Sequence, residues 1–215
     1  MKIGWLNVRS LVAATKSTAV NATIIDEQLD VIALSETWHR SSDDISLRLA
    51  TPPGFIAVDS VRATDPGHGG VAVIYRSHYD CTRLSLPQLS SFEAICLQLS
   101  TGGKPFILLL VYRPGSTRPT SLFYDELTEV LESLVLQSCS VVIGGDFNIH
   151  VEQPTDVDAV RLSELFALFG VEQHVHSPTH RLGGTLDIVA SFTTCPVSDV
   201  AVHPSDVISD HALVT

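Results

Sequence analysis

Short runs of apolar residues, separated by polar and turn-forming residues, recur along the whole chain. The runs are rich in Val, Ile and Leu, a composition typical of buried β-strands. The predicted strands cover residues 3–8, 31–34, 55–58, 71–75, 94–99, 106–112, 141–143, 186–190 and 197–202. None of these runs approaches the roughly 20 uninterrupted apolar residues that a membrane helix needs. We therefore expect a protein that does not enter a membrane.

Three segments have the longer apolar spacing of a helix. In residues 121–137, Phe123, Leu127 and Leu131 fall on one face, behind a possible cap at Thr120 or Ser121. Residues 156–169 carry a second apolar stripe, and residues 18–28 form the third predicted helix. Many strands with irregularly interspersed helices indicate sheets stacked on each other with helices outside. Without a repeat or linker in the sequence, residues 1–215 are expected to form one domain.

The composition fits a globular domain but argues against strong nucleic-acid binding by charge alone. Apolar residues make up 45% of the chain, while the formal net charge is −11. Affinity for nucleic acid that does not depend on sequence comes mainly from Lys and Arg, although a divalent metal offsets clustered acids locally. The scattered Cys81, Cys96, Cys139 and Cys195 form no CxxC pair and are interpreted as reduced, which suits cytosol or nucleus. Because the first residues already have a strand pattern, no export signal is expected.

Polar side chains follow the predicted strands at the point where each strand ends. These endings are Leu6-Asn7, Leu34-Ser35-Glu36, Tyr112-Arg113, Gly144-Gly145-Asp146-Phe147-Asn148 and Thr185-Leu186-Asp187. Strand ends converge at one rim of a sheet sandwich, and burying such groups singly costs several kcal/mol. A metal ion or a phosphate would satisfy them together, so the pattern predicts a site at this rim.

Each of these pieces, taken alone, has an ordinary alternative. Glu36 fits a solvated turn acid, and Ser209-Asp210-His211 fits a turn with a capping aspartate at the start of a last short strand. The two glycines before Asp146 make that motif more specific, because they let the backbone turn tightly while Asp146 and Asn148 face the same side. The order of all these strand-end motifs along the chain is more specific than any single motif.

Two other polar patterns are better explained without a site. Glu172, His174 and His176 alternate like possible zinc ligands, but they lack a spaced partner pair and fit surface side chains. The glycines in residues 67–70 precede a strand rather than a helix, and the Lys-Ser/Thr ending of a nucleotide loop is missing. A hairpin turn is the expected structure there.

The order of the strand-end motifs resembles the endonuclease/exonuclease/phosphatase superfamily from one end of the chain to the other. Segments 33–38, 111–114, 145–150, 177–180 and 184–187 resemble in particular the endonuclease domain of LINE-type (non-LTR) retrotransposon polyproteins. The chain departs from repair AP endonucleases at Arg9, where those enzymes carry an aspartate. The resemblance implies a four-layer α/β/β/α sandwich, in which two mostly antiparallel sheets are flanked by helices.

The resemblance also implies roles for individual residues. Glu36, Asn7 and Asp210 would hold Mg²⁺ or Mn²⁺, a hard ion that favours oxygen ligands. Asp146 would activate water, Asn148 and Tyr112 would hold phosphate oxygens, and Asp187 would pair with His211 to keep positive charge on the phosphate. The predicted substrate-binding residues are Arg113, Thr179 and Arg181, the last within a loop over residues 180–184. No organic cofactor is expected.

By the same resemblance the expected activity is nicking of one strand of duplex DNA. The 3′-hydroxyl would prime a reverse transcriptase, expected as a covalently linked domain of a longer polyprotein. We expect a monomeric domain, made in the cytoplasm and acting in the nucleus. Two other classes stay open: a hydrolase of the same fold acting on abasic DNA, RNA tails or phosphorylated small molecules, and a scaffold without catalysis.

Overall fold

Strands and helices alternate irregularly in the computed structural model, which describes residues 1–62, 64–65, 67–195 and 197–215. The strands are β1 (Ile3–Asn7), β2 (Val31–Ser35), β3 (Phe55–Ser60), β4 (Val71–Arg76), β5 (Asp80–Arg83), β6 (Glu93–Ser100), β7 (Phe106–Tyr112), β8 (Ser140–Asp146), β9 (Val171–Gln173) and β10 (Asp187–Phe192). The helices are α1 (Ala14–Asp26), α2 (Ile45–Ala50), α3 (Ser121–Val135) and α4 (Val157–Leu168). No helix in the described ranges has the length and apolar character needed to span a membrane.

The strands form two sheets of mostly antiparallel pairs. The first has the order β1-β2-β4-β3, and the second has the order β5-β6-β7-β8-β10-β9. Only the β1–β2 and β7–β8 pairs within these sheets are parallel. Both parallel pairs are joined through a helix, α1 in the first sheet and α3 in the second, as a parallel crossover requires.

Three apolar clusters divide the molecule into four layers. One lies between the sheets and contains Trp5, Val73 and Leu110. A second packs the first sheet against α1 and α2, through residues such as Ile24 and Ile32. The third packs α3 and α4 on the outer face of the second sheet and is lined by Leu127, Phe166 and others. The predicted helix–sheet–sheet–helix sandwich is therefore confirmed.

The clearest difference from the sequence prediction concerns residues 197–202, which do not form a strand. The apolar side chains of Val197, Val200 and Val202 pack against the core between the sheets. Val202 pairs with Val214 through an isolated bridge, Ala201 and Thr215 exchange backbone hydrogen bonds, and Asp199 has a φ of +59°. The prediction of a strand over 197–202 was wrong because burial produced the apolar pattern, while backbone pairing is confined to the end of the segment.

Three short elements escape the sequence pattern. β5 is a mostly exposed four-residue edge strand, and β9 has three residues, so neither is long enough to show an alternation. α2 has six residues and is capped by the Asp44 side chain, which accepts from Ser46 N–H. The 18–28 helix also begins earlier than predicted, at Ala14. Each of these elements depends on packing more than on its own sequence.

Candidate active site

Three polar side chains lie in one row across the second sheet. Tyr112 of β7 is the register partner of Asp146 of β8, and Asp146 is also the partner of Asp187 of β10. Residues directly opposite each other on adjacent strands present their side chains to the same face. All three are at most 5% exposed. We call Tyr112, Asp146 and Asp187 the interior row.

Gly145 makes this register possible. Its φ is +127°, and a Cβ atom built there would lie 2.0 Å from the carbonyl oxygen of Val111 on the adjacent strand. No side chain fits so close to a neighbouring backbone, so β8 approaches β7 at this point only with glycine. The glycine before Asp146 therefore sets the position of the aspartate in the row.

Asn7, at the end of β1, joins the first sheet to the interior row. Its Nδ2 donates to Glu36 Oε1 at 2.9 Å and to Asp146 Oδ2 at 2.8 Å. Its Oδ1 accepts from the backbone N–H of Arg9 at 3.0 Å. In this arrangement Asn7 orients two carboxylates through its amide nitrogen, and the metal-ligand role predicted for its oxygen stays a prediction.

Asp146 is fully buried and surrounded by hydrogen-bond donors. Asn148 donates twice, from its backbone N–H to Oδ1 and from Nδ2 to Oδ2, each at 2.9 Å. Burial raises the pKa of Asp146 well above its usual range, and the nearby Asp187 carboxylate adds to the effect. A carboxylate with a raised pKa is a stronger base than one in water, which suits the predicted activation of water.

Asp187 and His211 form a buried pair, as the resemblance implied. His211 Nδ1 donates to Asp187 Oδ2 at 2.8 Å, and the imidazole is 8% exposed. Burial opposes the charged imidazole, but the Asp187 carboxylate outweighs it and raises the pKa of His211 to about 9. The ring is thus a cation at neutral pH, with Nε2 available to a phosphate oxygen.

Glu36 follows β2 on a loop held in an unusual backbone conformation. Glu36 and Trp38 have φ values of +53° and +54°, while the residues that alternate with them, Thr37 and His39, are completely buried. His39 bridges Thr37 Oγ1 at 2.6 Å and Asp59 Oδ2 at 2.9 Å. These contacts hold the loop against β3, so the Glu36 carboxylate is presented at the rim.

Asp210, next to His211 in the chain, has an unsatisfied oxygen. Arg9 Nη1 donates to Asp210 Oδ2 at 2.5 Å, and His180 Nε2 lies 3.6 Å from the same oxygen. The Oδ1 atom is buried without a hydrogen-bond partner in the described parts of the chain. His180, Asp210 and His211 also lie close enough together to share an ion. A buried carboxylate oxygen without a donor fits a hard divalent cation.

Sequence reasoning did not identify Arg9, His180 or Glu93 as site residues. His180 and His211 form an isolated antiparallel β-bridge, and their ring centroids are 4.8 Å apart. Glu93 is the register partner of Tyr112, and its side chain is 18% exposed. Its position inside the run 93–100 was the available signal, because a carboxylate in a buried strand needs a partner.

Tyr112 completes the interior row as a neutral donor. Burial raises the pKa of its hydroxyl well above the usual range, and the Glu36 and Asp146 carboxylates raise it further. The hydroxyl therefore keeps its proton at any pH at which the protein would act. A protonated phenol donates a hydrogen bond, as the predicted contact with a phosphate oxygen requires.

The three predicted substrate-binding residues lie in different settings. The Arg113 guanidinium is buried and donates to the carbonyl oxygens of Phe147, Pro114, Thr117 and Asn148. Thr179 is completely buried, and its Oγ1 accepts from the N–H groups of Leu186 and Asp187. Only Arg181 is exposed, with 52% of its side chain accessible. Substrate contact stays a prediction for all three, and Arg181 alone presents its charge to solvent.

The polar patterns that were set aside are not part of this site. His174 Nε2 lies 2.9 Å from Ser191 Oγ, and Glu172 is exposed on β9. Neither possible ion cluster among the described residues includes them. In the Gly-rich segment, Gly69 and Gly70 accept from Trp38 and Thr37 N–H, and the segment lies in the β3–β4 connection. This connection supports the Glu36 loop and does not open a helix.

Comparisons with known proteins agree with this geometry. The profile described as the Endonuclease/Exonuclease/phosphatase family matches residues 4–211. A search of curated proteins finds no match. AP endonuclease LMAP from Leishmania major has a TM-score of 0.76 at 18% identity, covering 99% of this chain and 85% of that chain. The endonuclease domain of TRAS1, a telomere-specific non-LTR retrotransposon, has a TM-score of 0.75 at 15% identity, covering 99% and 94%. The 3′-5′ exonuclease NExo from Neisseria meningitidis has a TM-score of 0.75 at 21% identity, covering 100% and 98%.

Proposed function

This chain belongs to the endonuclease/exonuclease/phosphatase family, whose members are hydrolytic nucleases or phosphatases, and we propose that it nicks one strand of duplex DNA with a divalent metal. The observation that carries the proposal is the buried Asp187–His211 pair beside Asp146. A base for water and a fixed cation for the phosphate are what hydrolysis of a phosphodiester needs. The scaffold alternative offers no reason to bury these charges.

The proposed metal is Mg²⁺ or Mn²⁺, held by Glu36 and Asp210 with Asn7 beside them. The unsatisfied Oδ1 of Asp210 and the Glu36 carboxylate at the rim supply the oxygen ligands that such an ion favours. When bound, the ion would polarise the phosphate and offset the developing negative charge. Lys16 supports the same rim, because its Nζ donates to the carbonyl oxygens of Val8 and Arg9.

Asp146 is the proposed base. Asn7 and Asn148 donate to its two oxygens, so the carboxylate has a fixed orientation towards an attacking water. Its raised pKa strengthens it as a base, provided that it is ionised at the working pH. The neighbouring His211 cation favours that ionised form. Proton removal and charge balance thus come from adjacent residues in one buried cluster.

His211, Asn148 and Tyr112 are the proposed contacts to the phosphate oxygens. His211 offers Nε2–H as a charged donor, because Asp187 occupies Nδ1. Tyr112 offers a neutral O–H from the opposite end of the interior row. Donors fixed where charge develops stabilise the transition state. The Asn148 amide would have to give up its hydrogen bond to Arg113 O or to Asp146 Oδ2 to take part.

The nicking role, rather than another hydrolysis, is supported by the sequence motifs. The Ser35-Glu36-Thr37-Trp38 segment resembles the non-LTR retrotransposon endonucleases, Arg9 departs from the repair AP endonucleases, and the TRAS1 domain shares the fold over nearly the whole chain. We further propose that a 3′-hydroxyl is left for a linked reverse transcriptase. Action in the nucleus on double-stranded DNA, as a monomeric domain, completes the proposal.

A supercoiled plasmid without abasic sites tests this function. Incubation with Mg²⁺ is expected to give relaxed circles that a DNA polymerase extends directly from the nick. The Asp146→Asn variant, prepared identically, controls for contaminating nucleases. Plasmid that stays supercoiled at every metal and enzyme concentration would overturn the nicking proposal.

An abasic-site endonuclease is the second candidate, favoured by the equally good structural likeness to LMAP. A duplex with one tetrahydrofuran abasic analogue and the same duplex without it separate the two functions. Cleavage restricted to the modified duplex favours repair chemistry. Comparable cleavage of both duplexes favours the nicking role, because intact DNA is then a substrate. It would also show that Arg9, at the position where the repair enzymes carry an aspartate, is compatible with activity.

A further inference from the structure

Glu93 extends the interior row beyond Tyr112 and holds an arginine that has no role in the scheme above. The Glu93 carboxylate accepts from Gly70 N–H at 2.7 Å and from Arg62 Nε at 2.6 Å. The Arg62 and Glu93 side chains are 19% and 18% exposed. A guanidinium is therefore fixed at the edge of the proposed active site, where few water molecules screen it.

The Arg62 guanidinium lies over the ring of Tyr112, with its Cζ 5.5 Å from the ring centroid. Tyr112 is one of the proposed contacts to the scissile phosphate. A cation at this distance would face the same DNA strand as the Tyr112 hydroxyl. Two of the Arg62 nitrogens, Nε and Nη2, face the Glu93 carboxylate, and Nη1 is left for a phosphate oxygen.

A groove of about 650 Å³ opens beside Arg62 and Glu93. Ser60 and Arg62 line it together with Arg83, Ser85 and Pro114. Arg83 is exposed and donates from Nη1 to the carbonyl oxygen of Asp59 at 3.0 Å. Among the described residues no carboxylate lies within ion-pair distance of Arg83, so its charge is available to a ligand.

We propose that this groove binds the DNA strand next to the scissile phosphate, with Arg62 and Arg83 contacting two of its phosphates. The inference rests on the proposed function in taking nucleic acid as the substrate. Two cations in one groove that Ser60 and Ser85 also line fit a linear polyanion better than a single small phosphate. The net charge of −11 makes these local cations more important, since the acidic excess of the chain disfavours DNA binding.

Salt-dependent binding tests the groove directly. A fluorescent 30-base-pair duplex is titrated with the full chain in excess chelator, so that the duplex stays intact, between low and moderate salt. Arg62→Met and Arg83→Met are each expected to weaken binding about tenfold, the range for loss of one charged hydrogen bond. Each should also reduce the slope of log affinity against log salt by about one, and the double variant by about two.

Arg161→Met is the matched control, because Arg161 lies on α4 over Tyr124, in the helical layer. It should bind like the wild type. Arg62→Lys should restore most of the slope, since it keeps the charge. If both Met variants keep the wild-type slope while the wild type binds DNA, the groove proposal is wrong and the nicking function stands. Failure of the wild type itself to bind any duplex in chelator would also overturn the groove proposal, and the plasmid assay with Mg²⁺ would still decide the nicking function. Arg83 is exposed, so its variant decides the question even if Arg62→Met folds poorly.

Discussion

The interior row and the rim loop (residues 180–184) belong to the same proposed site but are built in different ways. Asp146 and Asp187 are at most 1% exposed, and strand register together with hydrogen bonds to Asn7, Asn148 and His211 fixes them. The rim loop is a tight turn in which Gly183 N–H donates to His180 O, and its Arg181 side chain is 52% exposed. Burial and hydrogen bonds therefore hold the two aspartates in place, whereas about half of the Arg181 side chain lies in solvent.

This contrast has an energetic reason. A buried carboxylate without its partner loses the interactions that offset desolvation. Each carboxylate of the interior row therefore depends strongly on its hydrogen-bond partners. An exposed arginine is hydrated with or without a partner, so replacing it changes little within the protein. Substitutions in the interior should therefore have large and coupled effects, and substitutions in the rim loop small and independent ones.

The largest effect is expected for Glu36→Ala, which removes the main proposed metal carboxylate. Activity should fall below detection while the circular dichroism spectrum stays unchanged, because the Glu36 side chain is partly exposed and its removal takes no residue out of the apolar core. Chelator should silence the wild type reversibly. Calorimetric titration with Mn²⁺ should show lost affinity in this variant and normal affinity in Glu132→Ala, an exposed α3 control. Full activity in excess chelator would remove the metal from this account.

The second largest effect concerns Asp187→Asn and His211→Ala, which should each lower the nicking rate by about 10² to 10⁴. Asn keeps the shape of the aspartate but removes the charge that raises the His211 pKa. Because both changes disable one hydrogen-bonded unit, the double variant should be scarcely slower than either single variant. Rate losses that multiply would instead show two independent residues.

Arg113→Met tests whether burial gives this arginine a structural role. The free energy of unfolding should fall by about 2 to 4 kcal/mol, because several buried carbonyl acceptors lose their charged donor. Arg118→Met, at a side chain 72% exposed, should change it little. Denaturant titration of both variants gives the comparison. A normal unfolding midpoint in Arg113→Met with weakened DNA binding would favour the predicted substrate contact.

A smaller effect should appear in the pH dependence of stability. The His211 pKa is raised from 6.5 to about 9 in the folded state, so its stabilising contribution is complete below pH 6.5 and disappears as the pH rises through about 9. Unfolding midpoints of the metal-free wild type should therefore fall over this window relative to those of Asp187→Asn. NMR titration of the His211 ring checks the value itself. Parallel midpoint curves would mean that the pair carries no charge.

The smallest effect is expected for Arg181→Ala. The activity on plasmid should change only a few-fold, while the salt slope of DNA binding should decrease by about one. The choice of nick sites should also shift, because the loop borders the proposed site through the Arg181 N–H bond to Asp210 O. Sequencing of nick positions, with Arg48→Ala as the exposed control, measures this. Unchanged slope and nick sites would make the rim loop a bystander.

Much of the fold follows from the sequence pattern because the core strands bury nearly continuous apolar runs. β7, for example, is the run Phe106–Tyr112, and six of its seven residues are buried. The pattern failed where apolar residues pack without forming a regular strand, as in 197–202, and where edge elements such as β5 are too short and polar. Pairing partners depend on the whole sheet, so local periodicity does not reveal them.

For the site, the sequence determined which polar groups end the strands and that several of them would meet at one rim. The contacts among Asn7, Glu36, Asp146 and Asn148 bring most of these groups together. Only the tertiary structure decided the environment of each group. It buried the Arg113 guanidinium on backbone carbonyls, set Arg9 against Asp210, and placed Glu93 and Arg62 beside Tyr112. Chemical type is written locally in the chain, but exposure, partner and pKa depend on residues far apart in sequence, which meet only when the sheets pack.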